Sequence, residues 1–104
     1  MALRPLTEEE RSAAREKAKH ARTVRASVKE SLKKRETTIS EVLDRSDQDE
    51  AISRLKVTDL LMALPSIGEV RAEAILKELN IASSRRLRGL GIHQRRALID
   101  FLER

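Results

Sequence analysis

The chain has 104 residues, of which 39% are hydrophobic and 38% charged, with a formal net charge of +5 and a pI near 10.1. This length suits one domain with an arm, and a single aromatic residue means that any core must consist of Leu, Ile, Val and Ala. Cysteine is absent and no apolar run suits a membrane span or a secretory signal, so we expect no disulfide, no thiolate zinc site and a cytoplasmic protein.

The charge is distributed unevenly along the chain. Residues 1–35 carry eleven basic and five acidic side chains, residues 36–60 carry three and seven, and residues 83–104 carry six and two. Two basic regions that flank an acidic middle suggest a polyanionic partner. A merely solvated charged surface is the alternative interpretation.

The first predicted element is a long helix. Thr7-Glu8-Glu9-Glu10 has the form of a capping box, and no Gly or Pro interrupts residues 8–35. Its apolar stripe is mostly alanine, so we expect only the end near Val24, Val28 and Leu32 to dock firmly, and the first half to be held loosely. Residues 1–35 are therefore predicted to form a basic helical arm. Its basic residues recur every three to four positions: Arg11, Arg15, Lys19, Arg22, Arg25 and Lys29.

The acidic middle predicts short helices. Thr38 is expected to cap a helix that presents Ile39, Val42 and Leu43 to the core, and a short helix carrying Ile52 and Leu55 follows. Thr58 is expected to cap the next helix, residues 59–64, which Pro65 ends.

The last forty residues predict two tight turns, each followed by a helix. The first turn, Pro65-Ser66-Ile67-Gly68, precedes a helix over residues 69–79, with Asn80 as a left-handed C-terminal residue. We expect Ser83-Ser84 to cap a short helix over residues 85–87. The second turn, Arg88-Gly89-Leu90-Gly91, precedes a helix over residues 93–102. No segment alternates as a strand would, so the fold class is all-α, with a long N-terminal helix and a globular domain of short helices over residues 36–104.

The two glycine turns are the candidate functional feature. A glycine turn before a helix exposes backbone N–H groups at the positive end of the helix dipole, where a phosphate fits. Glycine is expected there for its positive φ and because it lets a phosphate approach the backbone. Alternatively, the glycines only permit tight turns. Arginine favours the phosphate interpretation because it contacts phosphate through two N–H groups, and five arginines surround the second turn: Arg85, Arg86, Arg88, Arg95 and Arg96.

These segments also resemble a known family. Leu64-Pro65-Ser66-Ile67-Gly68-Glu69-Val70-Arg71-Ala72 and Arg85-Arg86-Leu87-Arg88-Gly89-Leu90-Gly91 are similar to the helix-two-turn-helix region of the actinobacterial (mycobacterial-type) integration host factor. Met1-Ala2-Leu3, the basic first helix and Leu55-Lys56-Val57 extend the resemblance over essentially the whole chain. It implies a nucleoid-associated, cytoplasmic protein that binds double-stranded DNA, bends or condenses it, and assists phage site-specific recombination with the phage integrase complex. We expect a monomer in solution, with the helix-two-turn-helix region at about residues 59–104.

The resemblance also implies which residues bind DNA. The family's arginine triplet falls on Arg85, Arg86 and Arg88, and its second glycine turn on Gly89 and Gly91. Glu69 stands where lysine is common in the family, so the second turn is the stronger candidate of the two. The complete set of candidate DNA-binding residues is Arg85, Arg86, Arg88, Gly89, Gly91, Arg95, Arg96, Ser66, Gly68, Val70, Arg71, Lys56, Arg22 and Arg25.

Three other functions are weighed against this one. An enzyme is disfavoured, because the two histidines are far apart and the chain has no metal-spaced cluster or cysteine nucleophile; no cofactor is expected. An RNA-binding protein of ribosomal type is the main alternative, although the chain lacks the Tyr and Trp that usually stack on single-stranded RNA. The third is a helical protein-interaction module that uses the acidic middle. For DNA we expect phosphate neutralisation, weak sequence preference and steep salt dependence.

Overall fold

A computed structural model of the chain describes residues 4–103. Its helices are α1 (Glu8–Lys33), α2 (Ile39–Ser46), α3 (Glu50–Ser53), α4 (Val57–Met62), α5 (Glu69–Glu78) and α6 (Ile92–Leu102), with one 3-10 turn at Leu87–Gly89. The all-α prediction is confirmed. None of the helices in this part of the chain has the length and apolarity needed to cross a membrane. The resemblance noted at Met1-Ala2-Leu3 lies outside the described residues.

Helix α1 is long and docks by one end. Thr7 caps it, accepting a hydrogen bond from the Glu10 backbone N–H at 3.1 Å. Only Val28 and Leu32 of this helix are buried, and Val24 packs against the core in part. At about 1.5 Å per residue its 26 residues span about 39 Å, which explains the molecule's 50 Å longest dimension.

The core consists of aliphatic side chains drawn from every α-helix. Its fully buried members of largest volume are Leu32, Leu43, Ile52, Leu60, Leu61, Leu76, Leu98, Val28, Val42 and Val57. Thr38 caps α2 by accepting from the Glu41 N–H, as expected, and Asn80 ends α5 with φ of 58°. Burying one such Leu contributes about 1.5–3 kcal/mol, so the end of α1 that carries Leu32 is held by the core rather than by local helix propensity.

Helices α5 and α6 are antiparallel. The Gln94 side chain, in the first turn of α6, donates to the Asn80 carbonyl just beyond α5. At the other end, Arg71 and Ile75 of α5 line one groove with Phe101 and Leu102 of α6. The first and second turns, which precede α5 and α6, therefore lie towards opposite ends of these two helices.

Two predicted elements differ from the structure. Thr58 does not cap α4: the helix begins at Val57, and the Thr58 hydroxyl instead donates to the Ser83 carbonyl at 2.8 Å. The helix expected over residues 85–87 is replaced by extended chain at Arg85 and Arg86, followed by the 3-10 turn that begins at Leu87. The Val57 N–H donates to the Arg85 carbonyl and the Leu87 N–H to the Leu55 carbonyl, which forms an isolated antiparallel bridge between Lys56 and Arg86. This long-range pairing satisfies the backbone groups that a local helix would otherwise have paired.

Candidate nucleic-acid interface

The second turn is built around the side chain of Arg85. Its Nη1 donates to the Gly89 carbonyl at 2.7 Å, so the arginine folds back over the turn. A Cβ added at Gly89 would lie 2.9 Å from Arg85 Cδ. A side chain at position 89 would therefore displace the Arg85 side chain from this position. The expectation that the turn glycines need positive φ is wrong, because no glycine in the described part of the chain has one.

The other two arginines of the triplet differ in how they are held. Arg86 Nη1 donates to the Arg54 carbonyl at 2.9 Å, which leaves the remaining guanidinium N–H groups of an exposed side chain available. Arg88 is exposed and has no hydrogen-bond or ion-pair partner among residues 4–103. The same is true of Arg96 on α6. Arg88 and Arg96 are thus free to bind an anion, and Arg86 is partly free.

Arg95 is placed differently from the other arginines of this cluster. Its guanidinium contacts both carboxylate oxygens of Asp47, at 2.8 and 3.2 Å, and donates to the Leu43 carbonyl at 2.9 Å. The hydrogen bond lowers the pKa of Asp47 and raises the pKa of Arg95. The Arg95 side chain is only 24% exposed. Arg95 therefore joins α6 to α2, and its donors are already occupied within the protein.

The backbone of the second turn offers few free donors. The N–H groups of Gly89 and Leu90 donate to the Arg86 and Leu87 carbonyls, and the Gly91 N–H donates to Gln94 Oε1 at 3.0 Å. Beyond them, the first-turn N–H groups of α6 remain open, as at any helix start. Most of the hydrogen-bond donors that this turn leaves open to an anion therefore belong to arginine side chains.

The first turn shows the opposite pattern. Ser66 adopts φ of 72°, and Gly68 has no heavy atom within 4 Å of where a Cβ would be. The N–H groups from Gly68 to Arg71 have no acceptor within the described structure, because α5 begins here without a side-chain cap. Val70 is 84% exposed, and Arg71 is exposed with no partner in the described chain. The first turn thus supplies open backbone donors and one free arginine.

Two connected grooves run beside α1. The arm groove lies between α1 and the α3–α4 region, and it brings together four of the predicted site residues: Arg22, Arg25, Lys56 and Arg86. The turn groove lies between the end of α1 and the first turn, and it is lined by Lys29, Lys33 and residues 66–68. Lys29 and Asp59 line both grooves. Arg25 also donates weakly to the Ala51 carbonyl at 3.4 Å.

Sequence reasoning missed two residues that the structure places at these surfaces. Lys33 borders the first turn although the two are more than thirty residues apart in sequence. It continues the spacing of Arg22, Arg25 and Lys29 along α1, which is the signal that points to it. Ile92, directly after Gly91, is 79% exposed, an unusual position for an isoleucine. No cluster of three or more metal-ligating side chains occurs among residues 4–103.

Comparisons with known proteins show which family and fold the chain is similar to. Residues 32–101 match the family described as the S13-like H2TH domain. The chain is 50% identical over 100 residues to an integration host factor of Mycobacterium tuberculosis, covering 96% of this chain and 95% of that protein. It is 48% identical over 94 residues to an integration host factor of Streptomyces coelicolor, covering 90% and 88%. A solved structure described as sIHF bound to an 8 bp palindromic DNA superposes with a TM-score of 0.78 at 43% identity, covering 80% of this chain and 93% of the other.

Proposed function

The chain belongs to the integration host factor family of actinobacteria, and on that basis we propose that it is a non-enzymatic, nucleoid-associated protein that binds double-stranded DNA. It reads the phosphate backbone with weak sequence preference and bends or condenses the DNA, in the cytoplasm and as a monomer. Assistance to phage site-specific recombination is part of the same proposal. The solved structure of a relative bound to DNA supports the choice of ligand.

The observation that carries the proposal is the state of the arginine triplet. Arg88 is unpaired within the described chain, Arg86 is held by one backbone carbonyl, and Arg85 is held by the turn itself. None of the three guanidinium groups contacts a carboxylate within the described chain. Three positive charges without counterions at one exposed turn favour a phosphate ligand, because bidentate arginine contacts to phosphate are strong.

The two turns divide the contacts between them. The first turn offers free backbone N–H groups and the second offers arginine side chains. We propose that both turns contact phosphates of the same duplex. Such contacts carry no base identity, which is why weak sequence preference is proposed. Arg95 is left out of the proposed contacts because Asp47 and the Leu43 carbonyl occupy it.

The direct test is a titration of a labelled duplex of about 20 base pairs, or two helical turns, at several salt concentrations. Arg85→Ala combined with Arg86→Ala is expected to weaken binding tenfold or more, which is at least about 1.4 kcal/mol. The matched control is Arg45→Ala with Lys77→Ala, two exposed residues that line neither groove and lose the same charge. Equal affinity of the folded double mutant and the control would refute the proposal.

Two further duplexes separate the alternatives. Shuffled DNA is expected to bind about as well as the original, and log affinity should fall linearly with log salt, by roughly 0.9 per phosphate contacted. The same sequence as double-stranded RNA is expected to bind more weakly. Tighter binding to RNA would instead support the ribosomal-type function, and no binding to either would support a protein-interaction module. Bending is tested by energy transfer between dyes at the two duplex ends.

A further inference from the structure

The arm groove is strongly basic. Seven Lys and Arg side chains and three carboxylates line it, an excess of four positive charges around one concave surface. A concave surface lined by one sign of charge concentrates its field and attracts the opposite charge. Its basic members are Lys17, Arg22, Arg25, Lys29, Arg54, Lys56 and Arg86.

Two of the three carboxylates are already engaged within the protein. Asp49 caps α3, accepting from the Ala51 and Ile52 N–H groups at 2.9 and 3.4 Å. Glu50 lies 2.6 Å from the Arg54 guanidinium and 3.8 Å from the Lys17 ammonium. Asp59 is different: it is exposed, and its carboxylate has no hydrogen-bond or ion-pair partner within residues 4–103. The groove therefore contains one carboxylate without an ion pair in the described chain, and five basic side chains also without one: Arg22, Arg25, Lys29, Lys56 and Arg86.

Asp59 occupies a central position in this surface. With Lys29 it lines both the arm groove and the turn groove, so it lies between the first turn and Arg86. Arg86 in turn stands two residues before Arg88, in the extended chain that pairs with Lys56. The basic surface is thus continuous from the second turn, over Arg86 and Lys56, to Lys29 and the first turn.

From this arrangement we propose that the arm groove holds a sugar-phosphate strand of the same DNA segment that the second turn contacts, and that Asp59 limits the affinity of that contact. The inference rests on the proposed function and adds a second contact surface to it. A phosphate that enters the groove approaches Lys29, Lys56 and Arg86 and is repelled by Asp59. Asp59 thereby keeps the contact between the arm groove and the DNA backbone weak enough to be reversible.

A purely structural role for Asp59 makes a different prediction. Asp59 lies in the first turn of α4, where a carboxylate complements the helix dipole. If this were its only role, Asp59→Asn would lower stability slightly and leave DNA affinity unchanged. If Asp59 opposes a phosphate, the same variant binds DNA more tightly despite the slight loss of stability.

The experiment compares Asp59→Asn with Asp100→Asn. Asp100 is exposed on α6 and lines neither groove, and each variant raises the net charge by one, so the general effect of charge is matched. The duplex of about 20 base pairs is titrated at low salt and its first binding event is resolved from later ones. The repulsion between the Asp59 carboxylate and a phosphate several ångströms away in water is weak. We therefore expect Asp59→Asn to raise the affinity of the first binding event about two- to fivefold. Asp100→Asn is expected to change it by less than the error.

A conservative variant and a basic variant complete the set. Asp59→Glu keeps the charge and should bind like the wild-type protein, whereas Lys29→Gln should weaken the first event. Equal tightening by Asp59→Asn and Asp100→Asn, no tightening by either, or an effect confined to a later binding event would each overturn the inference. The wild-type protein is titrated beside the variants. If it does not bind DNA, the proposed function is wrong; if it binds but Asp59→Asn does not raise the affinity, only the role of Asp59 is wrong.

Discussion

Replacing Gly89 with alanine places a methyl group against Arg85. The new Cβ would lie 2.9 Å from Arg85 Cδ, closer than side chains normally pack, while the backbone at Gly89 has no positive φ to forbid alanine. The arginine must therefore move, and its 2.7 Å hydrogen bond to the Gly89 carbonyl is weakened or lost. Losing such a partly exposed bond costs about 0.5–1 kcal/mol.

A second effect opposes this one. Gly→Ala at a compatible φ stabilises a protein by about 0.4–1 kcal/mol, because alanine restricts the unfolded chain. In the wild-type background the two effects nearly cancel, and the free energy of unfolding should change little. In an Arg85→Ala background there is no side chain to displace, so only the gain remains. Since about 1 kcal/mol corresponds to 4–8 °C in a domain of this size, Gly89→Ala should raise Tm there by about 2–8 °C.

The assay is a double-mutant cycle measured by thermal and denaturant unfolding of the wild-type protein, both single variants and the double variant. A coupling free energy of about 0.5–1 kcal/mol between positions 85 and 89 is expected. Additive effects, with Gly89→Ala changing stability equally in both backgrounds, would refute the idea that Gly89 exists to admit Arg85. Circular dichroism of each variant checks that all four proteins remain helical.

Two other substitutions test the core and the α2–α6 contact. Leu32→Ala should lower the free energy of unfolding by about 2–5 kcal/mol, because Leu32 is fully buried and its removal leaves a cavity at the docked end of α1. The control is Leu6→Ala, at a 53% exposed position, which should change the free energy of unfolding by under about 0.5 kcal/mol. Similar losses for both variants would contradict this placement of α1. Asp47→Asn should remove a pH-dependent part of the free energy of unfolding, because Arg95 lowers the pKa of Asp47 below its ordinary value of 3.8. The ionised carboxylate therefore stabilises the fold above pH 3.8, and this contribution is lost as the pH falls through the lowered pKa. Unfolding measured from neutral to acid pH should therefore show a shallower acid decline in the variant, and parallel curves would contradict the ion pair.

Local signals accounted for most of the predicted fold. Thr7 and Thr38 cap helices through residues three positions away, and Asn80 ends α5 in the left-handed region, so each was readable from a few neighbouring residues. The apolar spacing of Val28 and Leu32 likewise predicted which end of α1 would dock. These elements depend on hydrogen bonds and burial within one or two turns, which the sequence displays directly.

The misplaced elements depend on contacts between distant parts of the chain. The Thr58 hydroxyl donates to the Ser83 carbonyl, twenty-five positions away, and does not cap α4 as its local sequence predicted. Arg95 pairs with Asp47 across forty-eight positions, and nothing in the local spacing separates it from Arg96, which remains free of any partner in the described structure. A cluster of arginines in sequence therefore predicts a basic surface, but not which members of the cluster form ion pairs within the protein.

The way α1 docks connects the stability of the fold to the proposed DNA surface. Val28 and Leu32 point into the core, while Arg25, Lys29 and Lys33 lie beside them on the same part of the helix and line the two grooves. At 3.6 residues per turn, residues one position beyond a buried one lie at the edge of the contact, so burial of the apolar stripe sets the position of the basic residues. Asp59 and Lys56, on the facing side, are held by α4, whose Val57, Leu60 and Leu61 are buried in the same core. The width of the grooves is therefore determined by how well a few aliphatic side chains pack. Weakening that packing would loosen the grooves without touching any residue that the DNA is proposed to contact.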